Sequence, residues 1–299
     1  MNTLIIGLIG GTGLGQALTK LVSGESIAVE TPFGATSGPI TRGRWEGVEV
    51  AFIPRHGPHH TLSPSLVPYA ANIYALKTLG VTHILATGAT GSLREEIRPR
   101  DLVIPDQAID RTYRRQGTFF DRPGLVGHVE FSQPFCAAQR RRLLECSGSV
   151  DTTVHDGGTY MCMEGPAFST VAESRMHRAW GGDLIGMTCL PEARLAREAE
   201  MCYALIALPT DYDCWRPHDG SLSQQELLKE IIGNIEVASA NSVALIKAAL
   251  VSIRDTPPAP CGCHKSLDLA IWTRPDHIDP KVKARLGPIL HRYCNKNKE

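Results

Sequence analysis

The N-terminal stretch Leu4-Ile5-Ile6-Gly7-Leu8-Ile9 is a short apolar run that leads directly into Gly10-Gly11-Thr12-Gly13-Leu14-Gly15. An apolar run that stops at glycines is typical of a buried strand followed by a tight turn. Glycines there let backbone N–H groups approach an anion, and Thr12 adds a hydroxyl donor. The dinucleotide-binding spacing Gly-x-Gly-x-x-Gly fails, because Gln16 stands where the last glycine belongs. A purely structural turn and an anion-binding loop both remain open.

Similar apolar runs alternate with helical patterns along the chain, which predicts an α/β fold with a largely buried sheet. Helical spacing of apolar residues is found from Ser65 to Leu79 and from Leu222 to Leu250. The proline-rich stretch that begins at Asp255 ends the second pattern. We therefore expect a main domain over residues 1–254 and a small C-terminal appendage over residues 255–299. The predicted strands are Leu4–Ile9, Val48–Ile53, His83–Ala86, Leu102–Pro105, Asp183–Met187 and Cys202–Leu208.

The composition of the 299-residue chain excludes several classes of protein. Its 31 basic and 31 acidic residues give a formal net charge of zero, so no overall basic field attracts nucleic acid or anionic membrane. The sequence has neither an uninterrupted apolar run of about 18 residues nor the basic region of a signal peptide. Nine cysteines, mostly far apart, are typical of a reduced cytosolic protein. We expect a cytoplasmic protein without a nucleic-acid or membrane partner.

Arg55-His56-Gly57-Pro58-His59-His60 follows the predicted strand that ends at Ile53. Ligands of open α/β sheets bind beyond the carboxyl ends of strands, and the planar guanidinium of Arg55 matches phosphate oxygens. The histidines have no acidic or cysteine partner at metal-ligand spacing, so metal binding is the least favoured interpretation. An anion site and a surface turn are the two main alternatives.

Three further strand ends carry candidate functional residues. Ala86-Thr87-Gly88-Ala89-Thr90-Gly91-Ser92 leaves room for a ligand against the backbone, although the stretch taken alone slightly favours a tight strand-to-loop turn. Met187-Thr188 precedes a helix that opens at Pro191-Glu192. In Thr210-Asp211-Tyr212-Asp213, two acids two residues apart point the same way and are placed to donate a proton to a leaving group. A helix cap or Asx turn is the structural alternative.

These fragments occur together and in order, and in this combination the chain resembles the purine nucleoside phosphorylase family. It is most similar to the methylthioadenosine phosphorylase branch, over roughly residues 3 to 250. The resemblance implies a single-domain α/β nucleoside phosphorylase fold with a central mixed sheet flanked by helices. The strings that carry it are Gly10-Gly11-Thr12-Gly13-Leu14, Arg55-His56-Gly57, residues 69–77 and 91–97, Asp106-Gln107, residues 109–112, Glu164-Gly165-Pro166, Phe168-Ser169, Met187-Thr188, Pro191-Glu192 and residues 210–215.

The resemblance implies phosphorolysis of S-methyl-5'-thioadenosine, in which inorganic phosphate attacks the sugar and adenine leaves, without a metal or an organic cofactor. Phosphate would be held by five residues: Thr12, Arg55, His56, Ala89 and Thr188. Met187 would lie under the ribose, and Phe168 would face the purine. Asp211, with Asp213 beside it, would bind the amino-substituted edge of the purine and protonate the leaving base.

Base choice, subunit contacts and two departures from the family pattern also follow from the resemblance. Ser169 and Asp211 replace the Glu and Asn of relatives that prefer hypoxanthine or guanine, and a carboxylate accepts from the adenine amino group. His128 would reach the methylthio pocket of a neighbouring subunit, which implies a trimer or a dimer of trimers. Gly88 lacks the hydroxyl or amide that relatives carry there. Near the methylthio group, Leu227 keeps the apolar character of relatives, whereas Gln224 does not.

The appendage contains Cys261-Gly262-Cys263-His264, which resembles the Cys-x-Cys tail of longer microbial members. A disulfide, a metal site and reduced packing thiols are all open, and reduced thiols without metal are favoured because no second cysteine pair has zinc spacing. The run Arg140-Arg141-Arg142 is interpreted as a solvated helix surface.

Three other functions are weighed against this one. A methylthioinosine phosphorylase or general purine nucleoside phosphorylase would use the same chemistry on another base. A non-catalytic nucleoside-binding protein is supported only by Gly88, which lacks the hydroxyl or amide that relatives carry at this position. A nicotinamide-dependent oxidoreductase is disfavoured by the failed glycine spacing.

Overall fold

A computed structural model describes residues 4–11, 24–216 and 223–296. Within these ranges the chain forms one eleven-stranded mixed sheet flanked by helices, which confirms the predicted fold class. The strands are β1 Ile5–Gly10, β2 Gly24–Ile27, β3 Ile40–Trp45, β4 Val48–Pro54, β5 Val81–Ser92, β6 Leu102–Ile104, β7 Gln107–Arg111, β8 Val154–Asp156, β9 Thr159–Met163, β10 Leu184–Gly186 and β11 Cys202–Tyr212. The helices are α1 Tyr69–Thr78, α2 Ala137–Glu145, α3 Val171–Ala179, α4 Cys189–Glu198, α5 Gln224–Asp255, α6 Pro280–Arg285 and α7 Gly287–Lys296.

The central strand β5 is three times as long as predicted and shapes the functional edge of the sheet. On one edge it pairs in parallel with β11 over nearly its whole length, from His83 to Ser92. On the other edge it pairs with β1 as far as Ala86, and then with β10 only from Gly91. The prediction that the strand ends at Ala86 is therefore wrong, because pairing with β11 keeps the small-residue segment extended. Between Ala86 and Gly91 this second edge has no strand neighbour within the described ranges.

Strand β11 likewise extends beyond Leu208, where we expected it to end. Its pairing with β5 shifts register between Pro209 and Asp211. Such an irregularity changes the direction of the side chains that follow it, and it is common beside active sites. Thr210 and Asp211 therefore belong to the end of a strand and not to the loop after it.

The two faces of the sheet pack against separate helical layers. In β1, Ile5 and Ile9 join the core that contains α1 and α4, whereas Ile6 and Leu8 join the core that contains α5. This alternation is the period of two expected for a strand that is buried on both faces.

Helix α5 is long and apolar enough, by length and composition alone, to cross a membrane. Several of its apolar residues, among them Leu245, Ile246 and Leu250, are buried against the sheet in the same core as Phe52 of β4. A helix with an apolar stripe on a sheet is typical of a globular core.

The appendage packs on the main body beside α1. Leu286, Ile289 and Leu290 are buried in the core that includes α1, and the Tyr74 hydroxyl donates to the Arg285 carbonyl at 3.2 Å. Arg292 of α7 forms an ion pair with the buried side chain of Glu200. Both apolar and ionic contacts therefore hold the appendage to the body.

Candidate active site

A cleft of about 870 Å³ opens beside the ends of β5, β10 and β11, next to the first turns of α5. Its volume is in the range of small-molecule sites. Among the described residues, it brings together every predicted site residue except His128, and Thr12 lies outside the described residues. The residues brought together are Arg55, His56, Ala89, Phe168, Ser169, Met187, Thr188, Asp211, Asp213 and Leu227.

Arg55 lies at one end of the cleft with a fully buried side chain. Its Nε and Nη2 donate to the two carboxylate oxygens of Glu192, each at 2.7 Å, and its Nη1 donates to the Thr87 carbonyl at 2.7 Å. Burial alone lowers the pKa of Arg55, but the Glu192 carboxylate outweighs burial and raises it further above its usual value. A permanent cation is thus held in a fixed orientation at this end of the cleft, which we call the anion end. Sequence reasoning missed Glu192 as this partner, since 137 residues separate the two.

His56 is neutral at pH 7 in this environment. Burial, followed by the charge of Arg55, lowers its pKa to about 4. Its Nδ1 is 2.8 Å from the Leu62 carbonyl, which fixes the proton of the neutral ring on Nδ1 and leaves Nε2 as an acceptor. Of the three histidines only His56 is buried, whereas His59 and His60 are exposed.

The edge of β5 that has no strand neighbour among the described residues lines the anion end. Gly88 and Ala89 line the cleft there, opposite the buried Thr188. A Cβ atom on Gly88 would lie 3.4 Å from Thr188 Oγ1, an ordinary contact, so the missing side chain leaves usable space. Gly11 has no such freedom, because a Cβ there would come within 2.8 Å of both Arg55 Nη1 and the Thr87 carbonyl.

Carboxylates occupy the other end of the cleft. Asp211 accepts a hydrogen bond from the Thr210 hydroxyl at 2.7 Å. The backbone N–H of Asp213 donates to the Ser92 carbonyl at 3.0 Å, and its Oδ2 is buried without a hydrogen-bond partner among the described residues. A buried acceptor left unsatisfied costs free energy that a ligand donor can recover.

Phe168 and Ser169 border this carboxylate end. Ser169 is linked to the end of β11 by a hydrogen bond from the Cys214 thiol to its carbonyl at 3.2 Å. Phe168 lines the cleft with 85% of its surface exposed, so its ring lies at the mouth of the cleft. An exposed ring beside a cleft is available to cover a planar ligand.

Met187 lies between the two ends of the cleft and is held by Arg115, which sequence reasoning did not single out. Arg115 Nη1 donates to the carbonyls of Met187 and Leu190 at 2.5 and 2.8 Å. Its side chain is only 1% exposed and also forms an ion pair with Glu164 at 3.2 Å. Gly165 packs directly against the Met187 side chain. A Cβ at this position would lie 2.5 Å from Met187 Sδ, and its φ of +71° also favours glycine.

Glu164 anchors the segment around Arg115 from the opposite side. Burial raises its pKa, but donors from Ser65, the Tyr113 and Arg114 amides and Arg115 outweigh burial and lower the pKa to about 2. The carboxylate is thus ionised throughout the physiological range and fixes the loop that carries Arg115. Nothing in the local sequence links Glu164 with Arg115, since the contact depends on β9 and the following loop meeting β7.

His128 is not part of the cleft wall of its own chain. It is exposed, its backbone N–H donates to the Ala270 carbonyl at 2.8 Å, and its ring packs edge-on against Trp272. Leu227, from the first turns of α5, lines the cleft together with Ile231 and Ile235. These three residues form an apolar side of the cleft, of which the sequence predicted Leu227 alone.

Comparison with known proteins assigns the family. Residues 5–251 match the model of the Phosphorylase superfamily. The chain belongs to the Phosphorylase superfamily. It is 47% identical to S-methyl-5'-thioadenosine phosphorylase from Gloeobacter violaceus, over 96% of this chain and 95% of that protein. It is 46% identical to the protein of the same name from Chloroflexus aurantiacus, over 98% and 99%.

Solved phosphorylase structures agree with these relatives. A methylthioadenosine phosphorylase from an antarctic soil metagenomic library has a TM-score of 0.86 at 42% identity, covering 97% of this chain and all of that one. The Schistosoma mansoni methylthioadenosine phosphorylase in complex with tubercidin has a TM-score of 0.78 at 31% identity, with 97% and 98% coverage. The resemblance to this branch of the phosphorylases is confirmed.

Proposed function

We propose that this protein catalyses the phosphorolysis of S-methyl-5'-thioadenosine, releasing adenine and S-methyl-5-thioribose 1-phosphate. The observation that carries the proposal is the distribution of charge along one cleft. The cation of Arg55 and the edge of β5 without a described strand neighbour lie at one end, and the carboxyl groups of Asp211 and Asp213 lie at the other. An anionic nucleophile and a base with donor groups fit those two ends. Membership of the superfamily and the names of the relatives support the same reaction.

The anion end would hold inorganic phosphate beneath the sugar. Arg55 supplies the permanent charge there, and Thr188 supplies a hydroxyl donor beside Ala89. The neutral His56 presents Nε2 as an acceptor, which suits a protonated phosphate oxygen. We place Thr12 in this group on the resemblance alone. The orientation of Arg55 is set in advance by Glu192, so binding costs little reorganisation.

The carboxylate end would bind adenine and assist its departure. As the bond to the sugar breaks, negative charge accumulates on the purine. Asp211 in its protonated form would neutralise that charge by giving its proton to the base, and would be left as a carboxylate. The unpartnered Oδ2 of Asp213 is an acceptor for an adenine N–H. Met187, fixed by Arg115, would cover the ribose and keep competing water from the cationic sugar. No step in this scheme requires a metal or an organic cofactor.

The apolar side of the cleft suits the methylthio group. Leu227, Ile231 and Ile235 project from α5 and would exclude the hydration that a 5'-hydroxyl retains. Ser169 leaves the base end without the glutamate that 6-oxopurine enzymes carry, which favours adenine. Methylthioadenosine is therefore the substrate that matches both the apolar side and the carboxylate end of the cleft.

We further propose a homotrimer or a dimer of trimers in the cytoplasm. Exposed apolar residues surround His128, among them Trp272, Val126 and Leu269, and a neighbouring copy would cover them. This arrangement would bring His128 to the methylthio pocket of the next subunit. No disulfide joins any of the nine cysteines, all of which lie in the described residues, and this fits a reducing compartment.

The reaction is tested by incubating purified protein with methylthioadenosine, with and without inorganic phosphate, and following adenine by chromatography. Adenosine and methylthioinosine are assayed in parallel. We expect phosphate-dependent adenine release that is fastest from methylthioadenosine. Phosphate-independent release would mean hydrolysis, and faster turnover of methylthioinosine would mean a different base specificity. Binding of substrate without release of any base would leave a nucleoside-binding protein and overturn the proposal.

A further inference from the structure

Four cysteines from distant parts of the chain converge where the appendage meets the body. Cys136 precedes α2, Cys202 begins β11, and Cys261 and Cys263 follow the proline-rich stretch. Their four Sγ atoms all lie within 4.8 Å of one another. Three of the cysteines are buried and Cys261 is half-buried. None of them takes part in the cleft described above.

The spacing of these sulfurs is that of a metal-thiolate tetrahedron. Cys261 Sγ is 3.6 Å from Cys136 Sγ and 3.5 Å from Cys202 Sγ. Four thiolates bound to Zn²⁺ at about 2.3 Å lie about 3.8 Å apart along each edge of the tetrahedron. A set of four sulfurs in mutual reach, with no carboxylate among them, selects a thiophilic tetrahedral cation over Mg²⁺ or Ca²⁺.

Groups around the four sulfurs are placed to donate hydrogen bonds to thiolates. The Cys263 amide donates to Cys261 Sγ at 3.3 Å, and His264 Nε2 lies 3.4 Å from Cys202 Sγ. Donors of this kind hold the ligands in place and stabilise their charge.

We propose that Cys136, Cys202, Cys261 and Cys263 bind one Zn²⁺ ion. The four thiols lose four protons on binding, and Zn²⁺ reduces the resulting charge from −4 to −2. All four positions are filled by protein, so the site is structural and leaves no open position for a substrate. The ion links the appendage to α2 and β11, and its binding energy adds to the stability of the folded chain.

The first test is the metal content of the protein as produced. Untagged full-length protein from zinc-supplemented cells is dialysed against metal-free buffer and measured by inductively coupled plasma mass spectrometry. We expect one zinc per chain, released when a mercurial reagent blocks the thiols. Protein without zinc, whether its nine cysteines titrate as free thiols or its mass lacks two hydrogens per disulfide, would overturn the proposal.

The second test assigns the ligands. Cys261→Ser changes the most accessible of the four sulfurs, and Cys294→Ser in α7 is a matched control outside the cluster. We expect the first variant to lose bound zinc and the control to keep one ion per chain. Cobalt exchanged into the wild type and the control gives thiolate-to-cobalt charge-transfer and tetrahedral d–d absorption, which reports the ligands even if Cys261→Ser does not fold. A zinc ion retained in full by Cys261→Ser, or cobalt spectra without thiolate bands, would refute the assignment.

Discussion

Replacing Glu192 with Gln removes the negative charge that faces Arg55 while nearly preserving the shape of the side chain. Three donors point at the Glu192 carboxylate: Nε and Nη2 of Arg55, and the Tyr203 hydroxyl at 2.8 Å. The amide of Gln has one acceptor oxygen and one NH₂ group, so at least one Arg55 N–H must face another donor. The guanidinium, which is fully buried, also loses its counter-charge.

The expected loss of stability is large because the remaining charge stays buried. Removing one partner of a buried ion pair costs about 3–5 kcal/mol, whereas an exposed pair contributes about 0–1 kcal/mol. We therefore expect Glu192→Gln to lower the free energy of unfolding by about 3–5 kcal/mol. The same variant should weaken phosphate binding, since Arg55 no longer has a fixed orientation.

A second buried carboxyl on the same helix provides the matched control. Glu198 accepts from two uncharged donors, the Phe119 amide at 2.7 Å and the Thr118 hydroxyl at 2.8 Å. Burial raises its pKa to about 7, so at pH 6 it is mostly neutral. Glu198→Gln then exchanges one neutral group for another, and the Thr118 hydroxyl can rotate to accept from the amide. We expect a loss of no more than about 1 kcal/mol.

The assay is urea unfolding at pH 6 and a fixed protein concentration, followed by far-ultraviolet circular dichroism and by tryptophan fluorescence. Coincident transitions justify a two-state analysis of each variant. A loss for Glu192→Gln no larger than that for Glu198→Gln would refute the conclusion that Glu192 stabilises the buried Arg55 charge.

Three further predictions concern the anion end, the base end and the pH dependence. Asp211→Asn should lower kcat on methylthioadenosine by about 10²- to 10⁴-fold because it removes the proton donor, and it should leave the circular dichroism spectrum unchanged. Asp276→Asn, at an exposed carboxylate, is the control, and an unchanged kcat in Asp211→Asn would contradict the role of Asp211. Gly88→Ser should lower KM for phosphate by about two- to ten-fold, since its Cβ fits at 3.4 Å from Thr188 Oγ1 and its hydroxyl adds a donor to the anion end; a raised KM would show that the ligand needs this space. The pKa of His56 in the folded state is about 4, below its usual value, so its contribution to stability is complete above pH 6.5 and is lost as the pH falls to 4, by at most about 3 kcal/mol. The free energy of unfolding, measured with urea between pH 4 and 7, should therefore depend less on pH in His56→Asn than in the wild type. Equal pH profiles would contradict the conclusion that burial and the charge of Arg55 keep His56 neutral.

The local sequence was sufficient for the α/β class, for both major helical patterns and for several polar residues at strand ends that line the cleft. Apolar runs that stop at Gly, Thr or Asp mark the strands, and the strands carry those polar residues to one edge. Missed strands such as β3 and β7 are short and mixed in polarity, so periodicity did not reveal them. The ends of β5 and β11 were placed too early because their last residues are small or polar. Those residues stay extended only because the two strands pair with each other.

The amino-acid sequence by itself determined which chemical groups this protein offers: an arginine and a histidine after one strand, two aspartates after another, and an apolar stripe on the last long helix. Only the tertiary structure decided which partners those groups have. Glu192 holds Arg55, Arg115 holds Met187, and Cys261 meets Cys136 and Cys202. These contacts join residues 59 to 137 positions apart, which no local pattern encodes. The physical reason is that periodicity reports the neighbours of a residue along one helix or strand. Charge compensation and metal ligation depend instead on the folded positions of several elements at once.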